Sequence, residues 1–157
     1  MSRAQLVRRG FAVLAAGLAL ALVPTAMPAE ATASTASIAF PRVVVSILRG
    51  ANQVPAVDSN GIAIAVARID PIRDKVCYFM AQANLVDVTV AHIHKGAKGT
   101  NGPVVVPLNA PVDGKSFGCV PVADALAKDL AANPQNYYFN IHTKANPAGE
   151  IRGQLHK

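Results

Sequence analysis

"GIAIAVARIDPIRDKVCYFMAQA", residues 61–83, alternates through its first half. Ile62, Ile64 and Val66 fall on one face of an extended chain, and the intervening alanines fall on the other. A repeat of two residues is the mark of a β-strand, because successive side chains point to opposite faces. "PIRD" then breaks the run as a turn, and a second β-type run follows at residues 75–83.

The same grammar extends in both directions. "VVVSILR" (43–49) precedes the quoted stretch. "DVTVAHIH" (87–94), "PVVVPL" (103–108), "KSFGCV" (115–120), "NYYFNIHT" (136–143) and "GEIRGQL" (149–155) come after it. Eight short strands at this spacing, rich in β-branched residues, predict a mainly all-β chain built as an antiparallel sandwich or barrel. One segment has a different period. In "PVADALAKDLAANP", Val122, Leu126 and Leu130 recur every four residues, Asp124 and Lys128 form an i, i+4 pair, and Asn133–Pro134 ends the run. This predicts a short helix over 122–132 whose apolar stripe covers an open end or edge of the sheet.

The N-terminus reads as a targeting segment. Arg3, Arg8 and Arg9 precede a 13-residue apolar core at 11–23, and small residues and prolines follow. That order is the layout of a secretory signal peptide, and the apolar run is short for a membrane span. Cleavage after Ala31, Ala33 or Ala36 fits the small-x-Ala pattern. The expected organisation is a signal peptide at 1–33, a flexible tail at 34–42 and one domain at 43–155. Arg8–Arg9 before Gly10–Phe11 fits either a twin-arginine export signal or ordinary n-region charge. Removing Arg3, Arg8, Arg9 and Glu30 takes 15 basic and 9 acidic residues to 12 and 8, a net charge of +4. With scattered charge, no Trp and few aromatics, nucleic acid is not an expected partner. No lipidation cysteine follows the leader and no apolar tail closes the sequence, so the mature protein is expected to carry no membrane span. Its expected site of action is secreted or cell-envelope, with an extracellular or cell-wall partner.

Cys77 and Cys119 are the only cysteines. In an exported chain they read as one disulfide, with two buried free thiols as the alternative. Closing a loop of about 43 residues would stabilise the fold by roughly 4 kcal/mol in the chain-entropy account.

Six phrases, in order, carry a family resemblance: "GANQVPAVDSNGIAIA", "VCYFMAQANL", "AHIHKGAKGTNGPVVVPL", "GCV", "ANPQNYYFNIHT" and "GEIRGQL". Together they resemble the CHRD (chordin-type) domain of secreted bacterial proteins, over about residues 43–155. The resemblance implies an extracellular, immunoglobulin-like β-barrel and little chemistry. The growth-factor binding of chordins belongs to a different cysteine-rich module, absent here. The family is distantly similar to copper–zinc superoxide dismutases, and "AHIH" is similar to their H-x-H strand that supplies copper ligands.

His92 and His94 lie two apart on one strand, so they share a face with Cα atoms roughly 6.5–7 Å apart. Two such imidazoles can converge on one ion, and His142 in "NIHT" is the candidate third ligand. Imidazole suits copper, zinc and iron alike. Strand parity constrains the idea. If Phe139 and Ile141 face the core, His142 faces outward. His92 and His94 join it only if Ala91 and Ile93 point inward, which leaves Val88 and Val90 outside unless a β-bulge in "DVTVAH" or the helix compensates. The opposite phase buries the valines and turns His92 and His94 inward. The first phase matches the resemblance, in which the copper ligands lie outside the barrel. The competing reading is three partly exposed histidines bonded to loop backbone.

Little else points to chemistry. The bridging histidine and separate zinc-loop ligands of a dismutase have no counterpart. No catalytic triad or paired acids emerge, since Glu150 is the only glutamate of the mature chain. Glu150 and Arg152 share a strand face and read as a structural ion pair or as cross-strand partners. Lys95 and Lys98 flank a glycine loop from which they could guard the approach of an anion to the histidines. Of Tyr137 and Tyr138, alternation places one in the core and one on the surface. His156 reads as a solvated tail residue. Two functions follow: a non-catalytic extracellular binding or structural module, or a copper- or zinc-binding protein with a redox or metal-handling role through His92, His94 and His142. An enzyme of another kind ranks behind both.

Overall fold

The computed structural model describes residues 40–157. The expected signal peptide, its arginine pair and most of the expected tail lie outside the described residues. All eight expected strands form: β1 (Arg42–Arg49), β2 (Ile62–Asp70), β3 (Lys75–Ala83), β4 (Val88–Lys95), β5 (Val104–Leu108), β6 (Lys115–Pro121), β7 (Tyr137–Thr143) and β8 (Ile151–Gln154). Every pairing is antiparallel. The strands make one sheet in the order β5-β4-β7-β8-β1-β2-β3-β6. This sheet curls until its edge strands nearly meet. Asn109 N donates to the Tyr78 hydroxyl at 2.7 Å, and Ser116 Oγ donates to the Asn109 carbonyl at 2.8 Å. The fold is therefore all-β with one helix, as the alternation predicts, in the form of a nearly closed barrel.

The quoted alternation turns its alanines inward. Ala63, Ala65 and Ala67 face the core, while Ile64 is half exposed on the outer wall. Small side chains on β2 leave interior room for Tyr78, Met80, Tyr137, Phe139 and Ile141 from other strands. Small barrels fill their lumen by such large–small matching. Each fully buried Ile or Phe contributes roughly 1.5–3 kcal/mol.

The helix, α1, spans Asp124–Ala132, two residues shorter at its start than the pattern predicts. The reason is that Val122 is still tied to the strand turn: its N–H donates to the Asp74 carbonyl at 2.9 Å. Leu130 and Ala131 enter the core, and Val122 and Leu126 pack against it. Asp129 accepts from Lys95 Nζ at the end of β4 and from the Tyr137 hydroxyl at the start of β7. The helix thus covers one end of the barrel, as its stripe requires.

The outer wall divides into two halves. On β1, β2, β3 and β6 it is apolar and open. Val45, Val66, Phe79 and Phe117 align across the four strands, and Ile47, Ile64 and Ala81 form the next row. Cys77 and Cys119 pair directly across β3 and β6 and are joined by a disulfide on this half. On β4, β7 and β8 the wall is polar and roofed by loops. The candidate site lies there. Among the described residues, no helix is long and apolar enough to cross a membrane.

Candidate metal centre

His92 and His94 project from β4, and His142 from the adjacent β7. Ala91 and Ile93 are fully buried in the core, so β4 takes the phase that puts its histidines outside. A register shift between Val88 and Val90 makes this possible. Val88 pairs with Thr143 and packs against the core, whereas Val90 pairs with His142 and is exposed. One extra residue, Thr89, re-phases the strand, which is what a β-bulge does.

The three imidazoles come together. Ring centroids lie 5.6 Å apart for His92–His94, 5.2 Å for His92–His142 and 6.2 Å for His94–His142. One ring nitrogen from each lies within 4.8 Å of the others. His94 Nδ1 is 2.9 Å from the Gly102 carbonyl, and His142 Nδ1 is 3.0 Å from the Pro147 carbonyl. A carbonyl only accepts, so each of these Nδ1 atoms carries a proton, and in the neutral imidazole that leaves Nε2 as the free lone pair. His94 Nε2, His142 Nε2 and His92 Nδ1 are buried with no hydrogen-bond partner. Buried polar atoms are ordinarily paired, so an unpaired one calls for strain, a water, an ion or a chemical role. Here three lie in one cluster. Backbone carbonyls that fix the far nitrogen are also the usual outer support of metal-bound histidines.

Burial disfavours the charged form of two of the rings. Desolvation holds His92 below the ordinary histidine value, with repulsion from His142 and His94 adding to it. His94 is lowered mainly by desolvation, which the Gly102 hydrogen bond opposes, and further by His142 and Arg152. Both rings are therefore neutral at neutral pH, the form that ligates metals.

Loop contacts roof the site. Gly102 approaches β4 so closely that a Cβ there would collide with the Lys95 carbonyl, and only glycine lets its own carbonyl reach His94. Tyr138 lies on the outer wall, as alternation predicts for one of the two tyrosines, but it is not at the surface. It is 2% exposed, its ring stacks on His94 at 4.9 Å, and its hydroxyl accepts from Gly102 N. Tyr137 is the core tyrosine.

Other sequence expectations resolve differently. Glu150 and Arg152 form no ion pair. The Glu150 carboxylate accepts from Ser59 Oγ and from Thr143 Oγ1 across the sheet, while Arg152 lies 4.2 Å from the Tyr138 ring. Lys95 turns away from the histidines to Asp129 at 2.8 Å. His156 is exposed, yet its backbone pairs with Val45 of β1, so it is no free tail.

A family model for the CHRD domain matches residues 44–155. The chain belongs to the CHRD-domain family. No curated protein and no solved structure matches it closely enough to count as a relative. The barrel fits the fold expected from the six sequence phrases, and the disulfide fits the pairing expected of the two cysteines. Residues that sequence reasoning missed around the centre are Tyr138 as a stacking wall, the carbonyls of Gly102 and Pro147, and Asn140. Asn140 pairs with both His92 and Arg152 across the sheet and accepts from Gln53 Nε2 at 2.7 Å. The glycine spacing of the loop was the only sequence signal for this roof.

Proposed function

We propose that this CHRD protein is an exported, non-catalytic binding module whose ligand is a transition metal, copper or zinc, held by His92, His94 and His142. The observation that carries the reading is three buried ring nitrogens, all without partners and all in one cluster. Three imidazoles suit either metal and leave a coordination position open to a small ligand, which is the basis for a metal-handling or redox role. Nitrogens held at about 2.0–2.1 Å around a tetrahedral ion lie roughly 3.4 Å apart, closer than the 4.8 Å within which they fall here, so binding draws the rings together. Export is supported by the leader-like N-terminus and the disulfide. Action at the cell envelope follows from that route.

Calorimetric titration of the mature domain with Cu(II) and with Zn(II) tests the reading. One ion per chain is expected, with heat lost in His92→Ala and His142→Ala. Stoichiometric binding that survives both substitutions overturns the site.

A further inference from the structure

Among the described residues, Arg152 is the only buried arginine or lysine, at 2% exposure. Its Nη1 donates to Asn101 Oδ1 at 3.0 Å, and its guanidinium packs on the face of Tyr138. It makes no salt bridge to any carboxylate among the described residues. Glu150, its neighbour on the same strand face, is occupied by Ser59 and Thr143. Neither Nε nor Nη2 is among the fully buried unpaired atoms, so these donors remain open to a ligand or to solvent.

The side chain lines a cavity of about 260 Å³. Of the polar side chains around it, three amides are already engaged, while the exposed His156 ring, which also lines the cavity, makes no hydrogen bond among the described residues. Asn52 Nδ2 donates to the Arg152 carbonyl, Gln53 Nε2 to Asn140, and Gln154 Nε2 to the carbonyls of Gly96 and Gln135. Lys98, exposed and without an ion-pair partner among the described residues, also lines the cavity, and no aspartate or glutamate does. A buried cation is stable only when a counter-charge or a full set of acceptors meets it. Arg152 has one acceptor and a ring face.

We propose that this cavity is an anion site, taking a small molecule through a carboxylate or phosphate group on the Arg152 guanidinium, with Lys98 as a second positive contact. Both anion types present two oxygens to the guanidinium fork, the geometry that favours arginine over lysine. The Tyr138 ring packs against both Arg152 and His94. The anion site is therefore a neighbour of the histidine cluster, made of different side chains, and the charge of Arg152 is felt at His94.

The test uses metal-free mature protein at fixed ionic strength, titrated with inorganic phosphate and separately with acetate. Thermal unfolding and amide chemical shifts are the readouts. A ligand that binds only the folded state raises the unfolding midpoint as its concentration rises. The expected result is saturable one-site binding by at least one probe, with shifts at Gly99 and Arg152 and a midpoint that climbs with ligand. Arg152→Gln removes the climb, Arg152→Lys weakens binding about tenfold through loss of the fork, and Lys98→Gln weakens it a few-fold. Lys98 is exposed, so its variant keeps the test decisive if Arg152→Gln does not fold. A response to one probe but not the other identifies the oxyanion class. The proposal is overturned if neither probe saturates by tens of millimolar, if folded Arg152→Gln responds like the wild type, or if the shifts map elsewhere.

Discussion

The two halves of the barrel wall share one backbone geometry and carry opposite chemistry. On β4, β7 and β8 the outward positions are His92, His94, Tyr138, Asn140, His142 and Arg152, and loops close over them. On β1, β2, β3 and β6 they are Val45, Ile47, Ile64, Phe79 and Phe117, all exposed to solvent, and a disulfide ties β3 to β6 on this side. Alternation specifies two faces but not their environments. Polar groups become buried on the roofed half because the loops 95–103 and 144–149 supply carbonyls and glycine lets one of them approach. The open half needs no roof, because exposed apolar side chains leave no hydrogen bond unmade. The same strand architecture thus yields a tuned site on one side and a covalently stapled wall on the other.

If the halves are energetically separate, the largest effect belongs to the staple. Replacing Cys77 and Cys119 with alanine should lower unfolding stability by about 2–4 kcal/mol while leaving metal affinity within a factor of a few. Chemical denaturation and calorimetry on the same variant check both halves of that statement. Loss of metal binding along with stability would show that the halves are coupled.

Gly102→Ala probes the roofed half through its loop. The added Cβ pushes the loop from Lys95 and removes the carbonyl that fixes His94. Metal affinity should fall by about tenfold, in the range seen for lost outer-shell support. An unchanged affinity would mean that the loop does not orient His94.

Asp129 ties the helix to this half, and its effect is confined to acid. Hydrogen bonds from Lys95, Tyr137 and Asn133 hold its carboxyl well below the usual range, at about 2. A depressed folded value contributes stability above the ordinary carboxylate value, and that contribution is lost as pH falls toward 2. Asp129→Asn should therefore flatten the acid limb of stability between about pH 4 and 2. Denaturation midpoints across that window measure it, and an identical limb in the variant would remove Asp129 from the account.

The smallest effect is expected on the bare wall. Phe117 is 76% exposed, so Phe117→Ser should change stability by no more than about 0.5 kcal/mol. A larger loss in monomeric protein would mean that Phe117 contributes more to the fold than its exposure implies.

Much of the molecule was legible in its residues, for physical reasons. Strand spacing located all eight strands, while parity left two phases open for β4, of which the structure takes the one that puts His92 and His94 on the face of His142. Parity also exposed the conflict at Val88 and Val90 that the register shift at Thr89 resolves. The inward face of β2 was not legible, because Ala63 and Ala65 point inward only to accommodate Tyr78, Met80 and Phe139 from elsewhere. Nor was the burial of Tyr138 and Arg152, which depends on loops folding back from distant parts of the chain. The missing carboxylate beside Arg152 was hidden too, since Glu150 at i−2 suggested a partner that turns instead to Thr143.

The central claim is that the three unpaired histidine nitrogens hold one metal ion. Electron paramagnetic resonance of the mature protein loaded with one equivalent of Cu(II) tests it most directly. The account predicts a single copper species whose hyperfine pattern reports three imidazole nitrogens and which is absent from the His92→Ala, His94→Ala, His142→Ala triple variant. A solvated copper signal in the wild type, or an unchanged signal in the triple variant, would contradict it.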